Sequence, residues 1–296
     1  MRNLSLADRE LFEEFLSQHS HELAVYSFSN IYIWRGIFDI SWKIIDANLC
    51  VFFTDNTGCF LYLPPLGERL SSRAAEECFR LMDGHNKNPV VSRIENVEAQ
   101  GLAGLEKFGY RIRPKSGEYL CLRKTLADLK GDSFKSKRSV INFFTKHYEA
   151  RYLEFEPRKK RDCIAAYKTW AGARGASNPD LVYKGMLKDS GICLGSVLAV
   201  YEKLGIACRV VELNGKIKAF TAGFEINPEI FCVLYEFADL SVKGLSQYIF
   251  REFCRELGKY KYINIMDDSC LENLKIVKES YRPLRIIPAF IADRKS

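Results

Sequence analysis

The acidic side chains best placed by the sequence for proton transfer are Glu236 and the pair Asp267–Asp268. Glu236 ends an apolar run, 231–237, whose alternation reads as a strand with Glu236 and Tyr235 on opposite faces. A carboxylate there is either a general base with a displaced pKa or the solvated end of the strand. Asp267 follows a second apolar run, 262–265, where α/β folds place function; it reads equally as the cap of a helix starting near Cys270. Lys278 and Tyr281 can assist an oxyanion or a leaving oxygen, and Tyr281 is equally explained as a packed aromatic.

The cations are concentrated. Residues 130–174 hold twelve Lys and Arg against five Asp and Glu, a net charge of +7 that equals the whole chain's. Lys137, Arg138 and Lys146 lie on an amphipathic helix whose apolar stripe is Val140, Ile141, Phe144 and Tyr148. Arg158, Lys159, Lys160 and Arg161 fall in the first turn of a second helix opened by Glu156-Pro157. Cations at that end oppose the helix dipole, by about 0.3–1 kcal/mol each. The cluster reads either as a solvated basic face or as a contact for phosphate or nucleic acid. Lys243 and Gly244 precede another helix and can meet a phosphate at its N-terminus, or form an ordinary loop.

These residues need a scaffold, and the chain supplies one twice. Strand-like runs at 40–45, 49–54 and 59–63 precede a helix from Ser71 or Ser72 to about 82. A short strand at 89–94, a helix near 102–108, and strands at 110–113 and 119–123 follow. After the basic segment Asn178-Pro179-Asp180 starts a helix, a further helix covers 194–204, and a hairpin at 208–224 turns on Asn214-Gly215. A strand at 231–237, a helix opened by Gly244, a strand at 262–265, a helix through 271–277 and a strand at 285–291 complete the series. Gly109-Tyr110-Arg111 and Ser280-Tyr281-Arg282 introduce the closing strands, 171 residues apart. Two copies of one α/β (α+β) unit, with mixed, mostly antiparallel sheets flanked by helices, are expected at 1–129 and 175–296, joined by the basic crossing 130–174. The aromatic stretch 26–34, ending in Trp34, lines either the core or a pocket.

Composition narrows the function classes. With 47% hydrophobic and 27% charged residues the chain reads as globular. No run approaches a transmembrane span and no secretory signal opens the sequence, so a cytoplasmic protein is expected, with peripheral contact to an anionic membrane open through the basic segment. Ten Cys without a C-x-x-C pair and four dispersed His predict reduced, mostly buried thiols and no metal site.

The order of elements is that of the acyl-CoA N-acyltransferase (GNAT) fold. The tandem with its basic linker resembles the C-terminal domain of phosphatidylglycerol lysyltransferases and related soluble proteins. The resemblance is carried by 134–146 (FKSKRSVINFFTK), 219–223 (AFTAG), 235–238 (YEFA), 262–264 (YIN) and the ending Lys278-Glu-Ser-Tyr-Arg-Pro283. Leu234 stands where the family carries His, and Asn264 is followed by Ile265 and Met266 where the family has Arg and an acid. The resemblance implies a transferase that moves an aminoacyl group from aminoacyl-tRNA, or an acyl group from acyl-CoA, to a hydroxyl or amine. Glu236, Lys278, Tyr281 and Asp267 are its candidate catalytic residues. Lys137, Arg138, Lys146, Arg158, Lys159, Lys160, Arg161, Lys243 and Gly244 are its candidate donor-phosphate contacts, and Trp34 and Asn264 its pocket residues. No cofactor beyond that donor is implied. The alternatives are a binding module that keeps the fold without the chemistry, and an acyl-CoA-dependent N-acyltransferase of a small amine.

Overall fold

A computed structural model describes residues 1–295, which divide into two compact units. The first comprises Met1–Tyr119, Asp267–Lys275 and the chain from Ile286; the second comprises Leu120–Met266 and Ile276–Arg285. The sequence reading set its divisions at 129 and 174. In the structure the units interleave, and 130–174 lies wholly inside the second.

Through β6 the chain forms β1 (Arg2–Asn3), α1 (Arg9–Leu16), α2 (Phe28–Ile33), β2 (Asp39–Ile45), β3 (Asn48–Asp55), β4 (Gly58–Leu61), α3 (Ser72–His85), β5 (Ile94–Val97), α4 (Leu102–Lys107) and β6 (Tyr110–Leu122). It continues with α5 (Arg123–Asp128), α6 (Lys135–His147), β7 (Ala150–Glu154), α7 (Lys160–Ser177), α8 (Leu181–Leu204), β8 (Ala207–Leu213), β9 (Lys216–Asn227) and β10 (Ile230–Ala238). Last come α9 (Leu245–Glu256), β11 (Tyr262–Asn264), α10 (Glu272–Glu279) and β12 (Arg285–Arg294).

The repeat is visible in the pairing. In the first unit β2, β3 and β4 form an antiparallel meander, α3 follows, and β5 lies parallel to β4. In the second, β8, β9 and β10 form the meander, α9 follows, and β11 lies parallel to β10. The closing strands depart from the sequence halves. β5 is flanked by β12, through Val97 opposite Phe290 and Ile94 opposite Ala292, whereas β11 pairs with the end of β6 from Tyr262–Leu122 to Asn264–Leu120. Each repeat's closing strand therefore completes the other's sheet, which a search for halves along the chain does not anticipate.

Some element boundaries also differ. The strand expected at 89–94 is a short 3-10 turn, Pro89–Val91, with the strand itself at Ile94–Val97, because Asn88 caps the turn through the Val90 N–H. The two strands expected between 110 and 123 are one. The helix start expected at Asn178-Pro179-Asp180 is found, with Asp180 accepting from the Val182 N–H at 2.8 Å, but the separate helix expected at 194–204 is the continuation of that helix, broken only locally at Val200.

The first core gathers Phe52, Leu61, Phe79, Met82, Ile94 and Val97 between sheet and α3. In the second unit α6 buries Ile141 and Phe144 fully, Phe144 against Val211, Ala219, Leu245 and Ile249, and Ile141 against Phe134 and Leu129. Each such side chain contributes about 1.5–3 kcal/mol. The apolar spacing that made α6 a helix is thus the stripe that fixes it on α9.

That docking is close. Gly244, at the N-terminus of α9, has φ +84°, and a Cβ built there would lie 2.1 Å from the Val140 carbonyl oxygen of α6. Both the left-handed backbone and the contact require glycine. Gly244→Ala is expected to lose about 2 kcal/mol or more of stability, read as a lower urea midpoint at unchanged slope. An unchanged midpoint would mean that α6 is not seated there.

Candidate active site

β10 positions Glu236. Its register to β9 slips between Val233 and Tyr235, a bulge at Leu234. Beyond it, Tyr235 and Phe237 face α7 and α8: Tyr235 donates to the Ser190 carbonyl at 3.1 Å, and the Phe237 ring lies 5.4 Å from that of Tyr167. Glu236 faces the other way, towards α9, where Ser246 Oγ donates to its Oε1 at 2.6 Å.

Around this half-buried carboxyl lie groups from α6 and from 276–285. Lys278 donates to the Ile265 carbonyl. Lys137 donates to Ser280 Oγ at 2.7 Å and stands 3.9 Å over the ring of Tyr281. Ser280 in turn donates to the Val277 carbonyl at 2.5 Å. Tyr281 is buried against Phe250, with ring centroids 4.6 Å apart.

The electrostatics follow from burial. Desolvation pushes the Glu236 carboxyl up to about 7, although the Ser246 hydroxyl and the charges of Lys278 and Lys137 each favour its ionised form. Burial lowers the Lys137 ammonium; Glu236 resists that shift and Arg282 adds to it. Burial, then the Glu236 charge, holds the Tyr281 phenol well above its ordinary value, so it stays a hydrogen-bond donor at neutral pH. The cluster therefore offers a carboxyl balanced between acid and base, beside ammonium groups and a neutral phenol.

The structure brings together three of the four expected catalytic residues, Glu236, Lys278 and Tyr281, and adds Lys137, which the sequence placed among the donor contacts. Asp267 belongs to the first unit. Its Oδ1 accepts the Ser269 N–H at 2.8 Å, and Asp268 accepts from Tyr119 at 2.6 Å, so the pair serves the turn before α10. Asn264 is fully buried and its Oδ1 accepts the Met266 N–H at 2.8 Å, holding the end of β11. Trp34 lies in the first unit, its indole 6.2 Å from the ring of Phe38.

The cations part ways. Arg138 donates to the carbonyls of Leu129 and Gly131 and closes the end of α5. Arg158 pairs with Glu156 at 2.7 Å, and Lys159 with Glu212 at 2.5 Å. Both precede α7, in a 3-10 turn, so the misplaced charge inferred from sequence is partly neutralised and partly outside the helix. Arg161 and Lys146 are exposed and Lys160 half-exposed. Lys243 lies 4.8 Å over the ring of Phe143, and Gly244 is covered by Val140, so α6 occupies the approach to the N-terminus of α9. Two residues went unassigned in the sequence, Ser246 and Ser280. Ser280 sat inside the Lys278–Pro283 ending, whereas Ser246 had no signal beyond its place in the first turn after Gly244.

The carboxyl's position makes a prediction about stability. Protonation of Glu236 favours the fold up to about pH 7, and that contribution, complete below its unfolded pKa near 4.5, is lost as pH rises through about 7. Wild type should therefore lose stability relative to Glu236→Gln between pH 4.5 and 7, read from urea midpoints across that range. A constant difference would deny the raised pKa.

The chain is similar along 99% of its length to a conserved protein of unknown function from Bacteroides thetaiotaomicron VPI-5482, at 28% identity, 99% coverage of that chain and a TM-score of 0.86. It is similar to L-PGS from Bacillus licheniformis at 16% identity, covering 98% of this chain and 92% of that one, with a TM-score of 0.66. A tandem GNAT protein from the clavulanic acid biosynthesis pathway shares the fold at 8% identity, covering 98% and 97% of the two chains, with a TM-score of 0.55. No curated protein is matched. The fold is thus that of tandem GNAT proteins, and no helix among the described residues is long and apolar enough to cross a membrane. Residues 17–293 match the family described as phosphatidylglycerol lysyltransferase, C-terminal. The chain belongs to that family.

Proposed function

We propose that the second unit transfers an aminoacyl group from aminoacyl-tRNA to a hydroxyl or amine acceptor, with Glu236 as the base. The observation that carries this reading is the Glu236 carboxyl, held by Ser246 and raised to about 7 among ammonium groups. A base poised near neutral pH can take the acceptor's proton as the acceptor attacks the ester carbonyl, then return it to the departing ribose oxygen. The tetrahedral oxyanion formed between the two steps draws on Lys278 and on the neutral phenol of Tyr281. Atoms balance without another reactant: the acyl ester or amide forms, and the tRNA hydroxyl is released.

A tRNA donor is favoured over acyl-CoA by two features. The place where a GNAT fold would receive a pyrophosphate, the N-terminus of α9, has the Val140 carbonyl against Gly244. Lys146, Lys160 and Arg161 meanwhile leave positive charge facing solvent, suited to a polyanion.

Two measurements test the proposal. Glu236→Gln should lower protein-dependent acyl transfer from a pool of charged tRNAs to glycerol or a small amine by about 10²-fold or more. Wild-type kcat/KM should rise through about pH 7 as the base ionises. Transfer that survives in Glu236→Gln, or that proceeds only from acetyl-CoA, contradicts the reading. Separately, Lys160→Glu/Arg161→Glu should weaken tRNA binding and reduce the salt slope by about 2, whereas Arg158→Gln, already paired to Glu156, should change it less. Equal effects of the two variants would mean that the exposed charges are not the contact.

A further inference from the structure

A groove of about 780 Å3 runs along α7 in the second unit, a volume within the range of small-ligand sites. Ala166, Trp170 and Ala173 share one face of α7 and form one wall. The other wall is the turn 215–218 together with 239–241. The groove lies on the face of β10 opposite Glu236, because Trp170 meets Phe237 while Glu236 turns to α9.

Trp170 is half-buried. Its ring packs against those of Phe237 and Tyr167, with centroids 6.0 and 5.5 Å away, and these contacts set its plane. The small residues Ala166, Ala173 and Gly215 leave room beside the indole, and a Cβ built on Gly215 would meet nothing within 4 Å. A flat ring can therefore lie against Trp170.

The charges of the groove are unequally engaged. Asp239 is fully occupied: Lys218 pairs with it at 2.6 Å, and the Ser241 hydroxyl and N–H donate to its Oδ1 at 2.6 and 2.9 Å. Asp162 is exposed and precedes Trp170 by about 12 Å along the helix axis. Lys216 lines the same groove, exposed and with no acid paired to it among the described residues. Arg174, one turn after Trp170, stands 5.9 Å from the ring centroid, the outer limit of a cation–π contact, and it too pairs with no carboxylate among the described residues. An open aromatic face thus has two uncompensated cations near it. A planar ring carrying a phosphate answers both features, the ring by stacking and the phosphate by taking the ammonium and the forked guanidinium.

We infer that this groove binds a nucleotide, with its base on Trp170 and its phosphate on Lys216 and Arg174. The nucleotide can be free or one unit of a single-stranded RNA, since both present the same ring and phosphate. Such a site stands apart from Glu236 and needs none of the transfer chemistry.

The test is isothermal titration of the whole protein with AMP, and with a single-stranded RNA tetranucleotide, at low ionic strength. Lys216→Met, Arg174→Met and Trp170→Ala should each weaken binding by about tenfold or more, and Trp170→Phe should keep most of it. Ribose 5-phosphate, which lacks the base, should bind about tenfold more weakly than AMP. AMP should quench tryptophan fluorescence in wild type and not in Trp170→Phe, because Trp34 and Trp42 belong to the first unit. Lys107→Met, an exposed lysine of the first unit, should bind as wild type does. Tighter binding of the tetranucleotide through the same residues assigns the site to an RNA strand; equal or tighter binding of AMP assigns it to a free nucleotide. Absence of saturable binding of both ligands overturns the site. So does wild-type affinity in folded Lys216→Met, Arg174→Met or Trp170→Ala, or ribose 5-phosphate binding as tightly as AMP. If Trp170→Ala does not fold, Lys216→Met, on an exposed turn, decides the matter.

Discussion

The arrangement depends on the burial of one carboxyl group. Glu236 sits on β10 with its oxygen held by Ser246, and desolvation opposes its charge more than the neighbouring cations favour it. A fully exposed glutamate would be a weak base, and one in tight salt bridges would hold no proton near neutral pH. The intermediate environment needs four parts of the chain together: β10 to present the carboxyl, α9 to bring Ser246, 276–285 to bring Lys278 and Tyr281, and α6 to bring Lys137. The stripe Ile141–Phe144 that docks α6 therefore also places Lys137.

The same docking bears on donor chemistry. A helix N-terminus following a glycine is a natural phosphate cradle. Here the glycine serves another purpose, admitting the Val140 carbonyl to within van der Waals reach of α9. Gly244 is thus needed for packing, and the positive charge of the basic segment is distributed among three tasks. Arg138 closes a helix, Arg158 and Lys159 pair with acids, and Lys146, Lys160 and Arg161 face solvent.

Much of this was legible in the sequence, for identifiable reasons. Periodicity found α6 and the hairpin at Asn214-Gly215, since both depend on local spacing and turn chemistry. The apolar run 231–237 located Glu236 and the face opposite Tyr235. The exchange of closing strands was not legible, because which sheet β6 and β12 join is decided by long-range pairing and not by local pattern. Nor was the inward turn of Lys137: on a helix with Lys135, Arg138 and Lys146 nothing local distinguishes it, and only the Ser280–Tyr281 segment, 143 residues later, draws it in. Asp267 and Asp268 had two readings, and the short bonds from Ser269 and Tyr119 account for them as turn-forming residues.

The most direct measurement is a carbon-13 NMR titration of the Glu236 carboxyl in the intact protein, assigned by comparison with Glu236→Gln. The account predicts a midpoint of about 7, moving higher when Ser246 is replaced by Ala, because that hydrogen bond favours the ionised form. A midpoint in the ordinary glutamate range near 4.5 would contradict it, since the carboxyl would then be a solvated end of β10 with no proton to exchange at neutral pH.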